Sequence, residues 1–366
     1  MSARTFARIP VRHALTACTA VLAALLPAHA AGAAVPEPDP TVPRFTQFAP
    51  AFAYTVLKPG AYPPDVNDWN CRPSPEHPRP VVLVHGTAAN SLSSWSALAP
   101  VLRKEGYCAY AKHIGGKPND PMQAMEAVDK TSKQLAAFVD EVLAKTRTKQ
   151  VDMVGYSQGG GVLPRYYLKY DGGTDATDPS RNKVGKLIGI SPSNHGTSAT
   201  GFATLARMLN LINPVGKLLG QAIPDQTECS DLNAKLDEGG DTLPGVTYTN
   251  VTTVADNVVT PYTNQFLREK AAPDASLNQG RERCRGKKMP PLAPPVISKP
   301  EGGIVAPAAH SQITNILLQD VCPTDRSGHL RHPYSPTTIQ LTLNALDPAH
   351  AKPAPCRIVL PVPLLG

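Results

Sequence analysis

Ser157 stands in Gly155-Tyr156-Ser157-Gln158-Gly159, entered from the apolar run Val151–Val154 and left through Gly160-Gly161 into the helix-like Val162–Tyr170. A serine in Gly-x-Ser-x-Gly between a buried strand and a helix sits on a sharp, strained turn that lifts its Oγ above a sheet. Glycines two positions to either side are required, because Cβ atoms there would collide with the turn or with the neighbouring helix. A hydroxyl presented in this way is suited to attack on an acyl carbon. That chemistry needs three more parts: a base for the serine proton, a group orienting the base, and donors for the developing oxyanion.

The Gln158 amide is the first donor by the geometry of the turn. The second is expected in His85-Gly86-Thr87, the exit of the strand Pro80–Val84, where the Thr87 amide is the choice, helped by the Thr87 hydroxyl. Asp256 closes the alternating run Val246–Ala255 and enters a turn. Aspartate is common in turns for purely local reasons, but the order Ser, Asp, His along the chain assigns it the orienting role. His310, His329 and His332 all follow Asp256. Sites on parallel sheets lie beyond the carboxyl ends of the strands. The last strand reads as Ile313–Gln319, so His310 precedes it at the wrong end, while His329 and His332 share the loop after it. His195, in Ser193-Asn194-His195-Gly196-Thr197, also follows a strand but precedes the acid. Its expected place is the pocket wall.

These groups need a scaffold. Strands are read at Pro80–Val84, Tyr107–Lys112, Val151–Tyr156, Val184–Ile190, Val246–Ala255 and Ile313–Gln319. Helices alternate with them: Ser94–Glu105; a long one opened by Asp120-Pro121 with Met122, Met125, Val128, Leu135, Val139 and Val142 as its stripe; and a closing one at Pro336–Leu346. Strand and helix in this rhythm predict an α/β fold with a mostly parallel, doubly wound sheet. Two stretches interrupt it. Residues 197–240 are helical and apolar, with Phe202, Leu205 and Leu209 as wall or lid residues of an acyl pocket. Residues 268–307 are basic and rich in Pro and Gly, and are expected to form a surface loop.

The chain has 366 residues and a formal charge of +7. Residues 1–30 read as an export signal: Arg4, Arg8 and Arg12, the apolar Ala14–Leu26, then Ala28-His29-Ala30. The apolar run is too short to span a membrane. Residues 31–79 follow as a proline-rich, extended lead-in to a catalytic domain at 80–366. Beyond the signal, Cys71, Cys108, Cys229, Cys284, Cys322 and Cys356 form an even set. In an exported chain such a set implies three disulfides, with fifteen connectivities. Neither Cys-x-x-Cys nor zinc spacing occurs, so neither metal nor cofactor is expected. Much of the positive charge lies in 268–299, a loop cluster without aromatic partners, which argues against nucleic-acid binding.

Taken together, Val-Asp-Met-Val-Gly-Tyr-Ser157-Gln-Gly-Gly, Ser193-Asn-His-Gly-Thr197, Asp256-Asn-Val-Val-Thr-Pro261 and Leu318-Gln-Asp-Val-Cys322-Pro-Thr-Asp-Arg-Ser-Gly-His329 resemble the secreted class-2 bacterial triacylglycerol lipases. More distantly they resemble fungal lipase B. The resemblance runs over about Val81–Cys356. It implies an α/β-hydrolase fold with a helical lid, Ser157, Asp256 and His329 as a catalytic triad, Thr87 and Gln158 as an oxyanion hole, and a lipid or ester substrate at an oil–water interface. Tyr156 stands where that family commonly has His. His332 precedes Pro333, which restricts its backbone, whereas His329 follows Gly328, whose freedom would let the ring turn toward Ser157. The pairings expected are Cys71–Cys108, tying the lead-in to the sheet; Cys322–Cys356, clamping the base loop as in the fungal enzyme; and, by elimination, Cys229–Cys284.

Overall fold

Six short runs rich in Val, Ile and Thr pair into one sheet: β1 (Val81–Val84), β2 (Ala109–Ala111), β3 (Val151–Tyr156), β4 (Val184–Ile190), β5 (Thr247–Thr252) and β8 (Ile313–Leu317). Their order is β2-β1-β3-β4-β5-β8, with every neighbouring pair parallel. The computed structural model in which they are seen describes residues 35–198, 200–201, 220–268, 293–307 and 310–360. The signal-like residues 1–30 lie outside them, as do Phe202, Leu205, Leu209 and Cys284.

Alternation along the strands explains why both faces are covered. Val82, Val84, Val151 and Met153 point to a core completed by Leu135, Phe138, Val139 and Val142 of the helix Val128–Thr146 and Leu163 and Tyr167 of the helix Val162–Tyr170. Val81, Leu83, Val154 and Tyr156 point the other way, onto Trp95, Leu98, Leu102 and Leu346. A parallel sheet buried on both faces needs such near-continuous apolar strands. The architecture is that of an α/β-hydrolase.

Several boundaries differ from the sequence reading. The Ser94–Glu105 helix is two helices, Ser91–Trp95 and Leu98–Lys104, the first opened by an Asn90/Ser93 capping box. The long helix runs from Val128 to Thr146 and does not open at Asp120-Pro121. The reason is tertiary: Ala88 N–H donates to Gln123 O and Gln123 N–H to Ala89 O, both 2.9 Å. This pairing with the loop after β1 holds residue 123 out of a helix. Met122 and Met125 are only half-buried. Asp120 makes a local turn to Met122 N–H, and the amino terminus of the long helix is met instead by Asp225, which accepts from Val128 N–H at 2.9 Å. A carboxylate there satisfies an orphan donor and suits the helix dipole.

The lead-in is not simply extended. Phe48–Leu57 is a helix with Phe48, Ala51 and Thr55 buried, and Asn67 covers the open edge of β2: its N–H donates to Ala109 O and its Oδ1 accepts from Ala111 N–H. The end of the basic stretch is likewise attached. Ser298 N–H donates to Asn315 O, Asn315 Nδ2 donates to Val296 O, and β6 (Pro300–Glu301) with β7 (Ile304–Val305) forms a small hairpin outside the main sheet. Within 293–307, Val296 and Ser298 thus tie this end of the expected surface loop to Asn315 on the β8 edge; an exposed edge is commonly covered in this way. Disulfides Cys71–Cys108 and Cys322–Cys356 form as expected. Cys229 is also disulfide-bonded.

Candidate active site

The β3 strand ends in the expected turn. Ser157 adopts a left-handed backbone, φ 57°, which a non-glycine residue holds only where its surroundings enforce it. The enforcement is visible at two glycines. A Cβ on Gly155 would overlap the Gly159 carbonyl, and one on Gly159 would overlap the Val84 carbonyl of β1.

Ser157 Oγ lies 3.0 Å from His329 Nε2, and His329 Nδ1 lies 2.8 Å from Asp256 Oδ2. Three segments separated by up to 172 residues thus meet in one chain of hydrogen bonds. Asp256 is heavily supported: Oδ1 accepts from the Val258 and Val259 amides and Oδ2 also from Gln265 Nε2, each at 2.9 Å. Burial alone would raise its pKa. The His329 ring, the Val258 amide and the Ser191 hydroxyl outweigh that and hold it below the ordinary carboxylate range. Asp256 is therefore ionised at neutral pH.

The loop carrying His329 is braced from several sides. Buried Asp325 accepts from the Ser327 amide and from the Ser327 and Ser335 hydroxyls. Thr253 Oγ1 donates to Ser327 O, and the Cys322–Cys356 bridge closes the base of the loop. Gly328 is not in a left-handed conformation. What it allows is approach, since a Cβ there would lie 3.2 Å from Ala255 O. Tyr156 donates its hydroxyl to His329 O at 3.0 Å, and its ring lies 5.0 Å from the imidazole. Burial raises the Tyr156 pKa well above 10, so that donor keeps its proton.

Gln158 follows Ser157 directly, and Thr87 follows Gly86, where an added Cβ would lie 2.9 Å from Ser157 Cβ. His85, just before them, is neutral: burial lowers its pKa to about 4, Nδ1 faces Gly86 O and Nε2 accepts from Ile114 N–H. Its part is to fix the Thr87 loop. Gln226 was not picked out by sequence. Its Nε2 donates to Thr87 Oγ1 at 2.8 Å and its Oε1 accepts from Ser193 Oγ at 3.0 Å. A lone Gln after a four-residue helix carries no local signal for that position.

His195 is placed differently from the pocket wall proposed for it. Its ring is 1% exposed, with Nδ1 2.9 Å from Asp237 and Nε2 3.1 Å from Asp241. Arg165 bonds both carboxylates, at 3.2 and 2.6 Å. Three ligand atoms gathered like this resemble a metal site, but the Arg165 guanidinium already bonds an oxygen of each carboxylate and offsets one of their two charges. The cluster is a buried ion network that ties the helix Asp231–Asp237 to the loop after β4. His310 is exposed, in a left-handed turn at the amino end of β8. His332 is buried, with Nδ1 2.7 Å from Ser191 Oγ.

The parallel sheet, the strand–serine–helix turn and the loop-borne Asp and His define an α/β-hydrolase. Residues 78–276, more than half of the chain, match the family model described as Lipase (class 2). The chain belongs to the class 2 lipase family. Triacylglycerol lipases of Pseudarthrobacter phenanthrenivorans and Burkholderia plantarii are each 34% identical to it over 86 residues, 22% of this chain. The matched stretch spans 25% and 23% of those relatives' lengths. Among solved structures, Aspergillus fumigatus lipase B is similar with a TM-score of 0.49 at 20% identity, over 79% of this chain and 58% of that one.

Proposed function

We propose that the chain is an exported serine carboxylester hydrolase whose natural substrates are lipid esters, triacylglycerols above all. The observation that carries this reading is the Ser157–His329–Asp256 relay, 3.0 and 2.8 Å in its two links. Ser157 Oγ attacks the ester carbonyl as His329 Nε2 takes its proton, and Asp256 holds the imidazole tautomer and steadies the imidazolium. The Thr87 and Gln158 amides receive the oxyanion. Each such donor typically lowers the barrier by about 3 kcal/mol. His329 then returns the proton to the leaving alcohol. Water, activated by the same base, attacks the acyl-enzyme and frees the fatty acid.

Export is supported by the Arg-rich, apolar amino terminus and by the disulfides, which persist in oxidising compartments. Among the described residues no helix is long and apolar enough to cross a membrane. The catalytic domain is assigned to 80–366, with 197–240 as the acyl-pocket and lid region. The apolar Phe202–Leu219 suits long acyl chains. Hydrolysis of p-nitrophenyl esters from acetate to palmitate, with emulsified triglyceride beside them, tests this. The rate is expected to peak at a medium or longer chain, with triglyceride cleaved. A monotonic fall from acetate with triglyceride untouched would leave a short-chain esterase instead.

A further inference from the structure

Large apolar side chains left in water are not scattered evenly over this chain. Seven are exposed among the described residues, and three of them, Val254, Ile358 and Leu360, at 37%, 76% and 66%, stand on segments bonded to one another beside the catalytic loops. Val254 N–H donates to Gln319 Oε1 at 3.0 Å, and Gln319 Nε2 donates to Asp325 O at 2.8 Å. Asp325 pairs in turn with Val359. The Arg326 amide donates to Val359 O at 2.8 Å, and Arg331 Nη1 to Leu360 O at 2.6 Å. The Cys322–Cys356 bridge anchors the other end of this short strap. Residues 357–360 are thus fixed against the loop that carries His329.

Alternate side chains of an extended segment share a side. Val359 is half-buried, while Ile358 and Leu360, two apart, are both left in solvent. Val254 stands two residues before Asp256, and Arg326 three before His329, so the patch adjoins the triad at the carboxyl end of the sheet. Single exposed apolar residues need no explanation, but a group held together beside a site marks a contact surface. Its charge points to the partner. Arg326 and Arg357 are exposed, and among the described residues neither makes an ion pair. Of the acids in the segments 253–256, 319–331 and 356–360, Asp256 and Asp325 are buried and bonded, and Asp320 alone is exposed. Apolar side chains flanked by free guanidinium groups suit a layer that is apolar within and negative at its surface.

We propose that Val254, Ile358 and Leu360, flanked by Arg326 and Arg357, form the surface by which this protein docks on an anionic lipid layer, placing the Ser157–His329 site at that layer. The proposal rests on the lipid-ester reading above and deepens it by naming the contact surface and the charge of the lipid. The apolar side chains enter the boundary between headgroups and acyl chains, and the arginines draw the anionic headgroups to them.

Vesicles of phosphatidylglycerol and of phosphatidylcholine are the probes, with binding read by co-sedimentation of Ser157→Ala, which spares the lipid. That parent should bind phosphatidylglycerol roughly 10- to 30-fold more tightly than phosphatidylcholine, the scale of two arginines near a charged surface, and release it as salt is added. Ile358→Glu with Leu360→Glu should weaken binding to both vesicles by about 30-fold or more. Arg326→Gln with Arg357→Gln should weaken binding to phosphatidylglycerol alone, by roughly 10- to 30-fold. In the chain that keeps Ser157, both pairs should leave hydrolysis of dissolved p-nitrophenyl butyrate within about twofold of wild type, with Tm unchanged. Vesicle binding untouched by either pair overturns the proposal. Equal affinity of the parent for the two lipids overturns it too, because the arginines then play no part. So does a dimer that the glutamates turn into a monomer in sedimentation velocity, since the patch would then join two copies of this chain. Wild-type protein inert toward p-nitrophenyl butyrate would strike the enzyme reading instead, whereas vesicle binding by Ser157→Ala does not depend on turnover.

Discussion

His329→Ala should lower kcat by roughly 10⁴- to 10⁶-fold, the scale of losing a member of a serine triad, with the fold retained. His329 bridges Ser157 and Asp256 with both ring nitrogens, and among the described residues no other histidine reaches either atom. His310→Ala should stay within about tenfold of wild type, because that ring is exposed at the opposite end of the last strand and meets no reacting group. His332→Ala should likewise stay within about tenfold, since its ring bonds Ser191 Oγ and neither Ser157 nor Asp256. Turnover measured on folded protein decides the matter. Activity abolished in His310→Ala and kept in His329→Ala would reverse the assignment.

Gly155→Ala should be nearly as damaging by another route. Its methyl would overlap the Gly159 carbonyl, and both partners are backbone, so no side chain can move aside. The elbow must shift or the strand must leave the sheet. Overpacking of this severity costs about 3 kcal/mol or more, a Tm loss of about 4 °C or more in a domain of this size, and turnover should disappear with it. Gly172→Ala is the contrast. That residue also has positive φ, 82°, but nothing lies within 4 Å of an added Cβ, so only the conformational cost of about 1 kcal/mol remains. Equal Tm values for the two variants, measured by calorimetry, would show that the elbow tolerates what its geometry forbids.

What was legible in the sequence was what is encoded locally. The six strands of the main sheet announced themselves through short apolar runs, and the elbow through glycines whose spacing is set by contacts four residues apart. Asp256 and His329 were assigned by chain order, strand polarity and resemblance. The misses have a common cause in contacts between distant segments. Met122–Ala127 has helical periodicity, but pairing of Gln123 with Ala88 and Ala89 prevails over it. His195 looked like a pocket residue because it follows a strand. Its ring is set by Asp237 and Asp241, about forty residues on, and by Arg165 upstream. Ser191 and His332 are 141 residues apart, and no pattern around either announces the other. Gln226 and Gln265, which hold Thr87 and Asp256, are likewise single polar residues whose importance exists only in the folded chain.

The central claim is that Ser157 is the nucleophile, and covalent labelling tests it most directly. The folded enzyme is treated with a fluorophosphonate and digested, and the adduct is located by mass spectrometry. The account predicts one stoichiometric adduct on Ser157, formed in step with loss of esterase activity, and absent from Ser157→Ala, which should be inert toward p-nitrophenyl butyrate. An adduct on another serine, or ester hydrolysis that persists in Ser157→Ala, would contradict it.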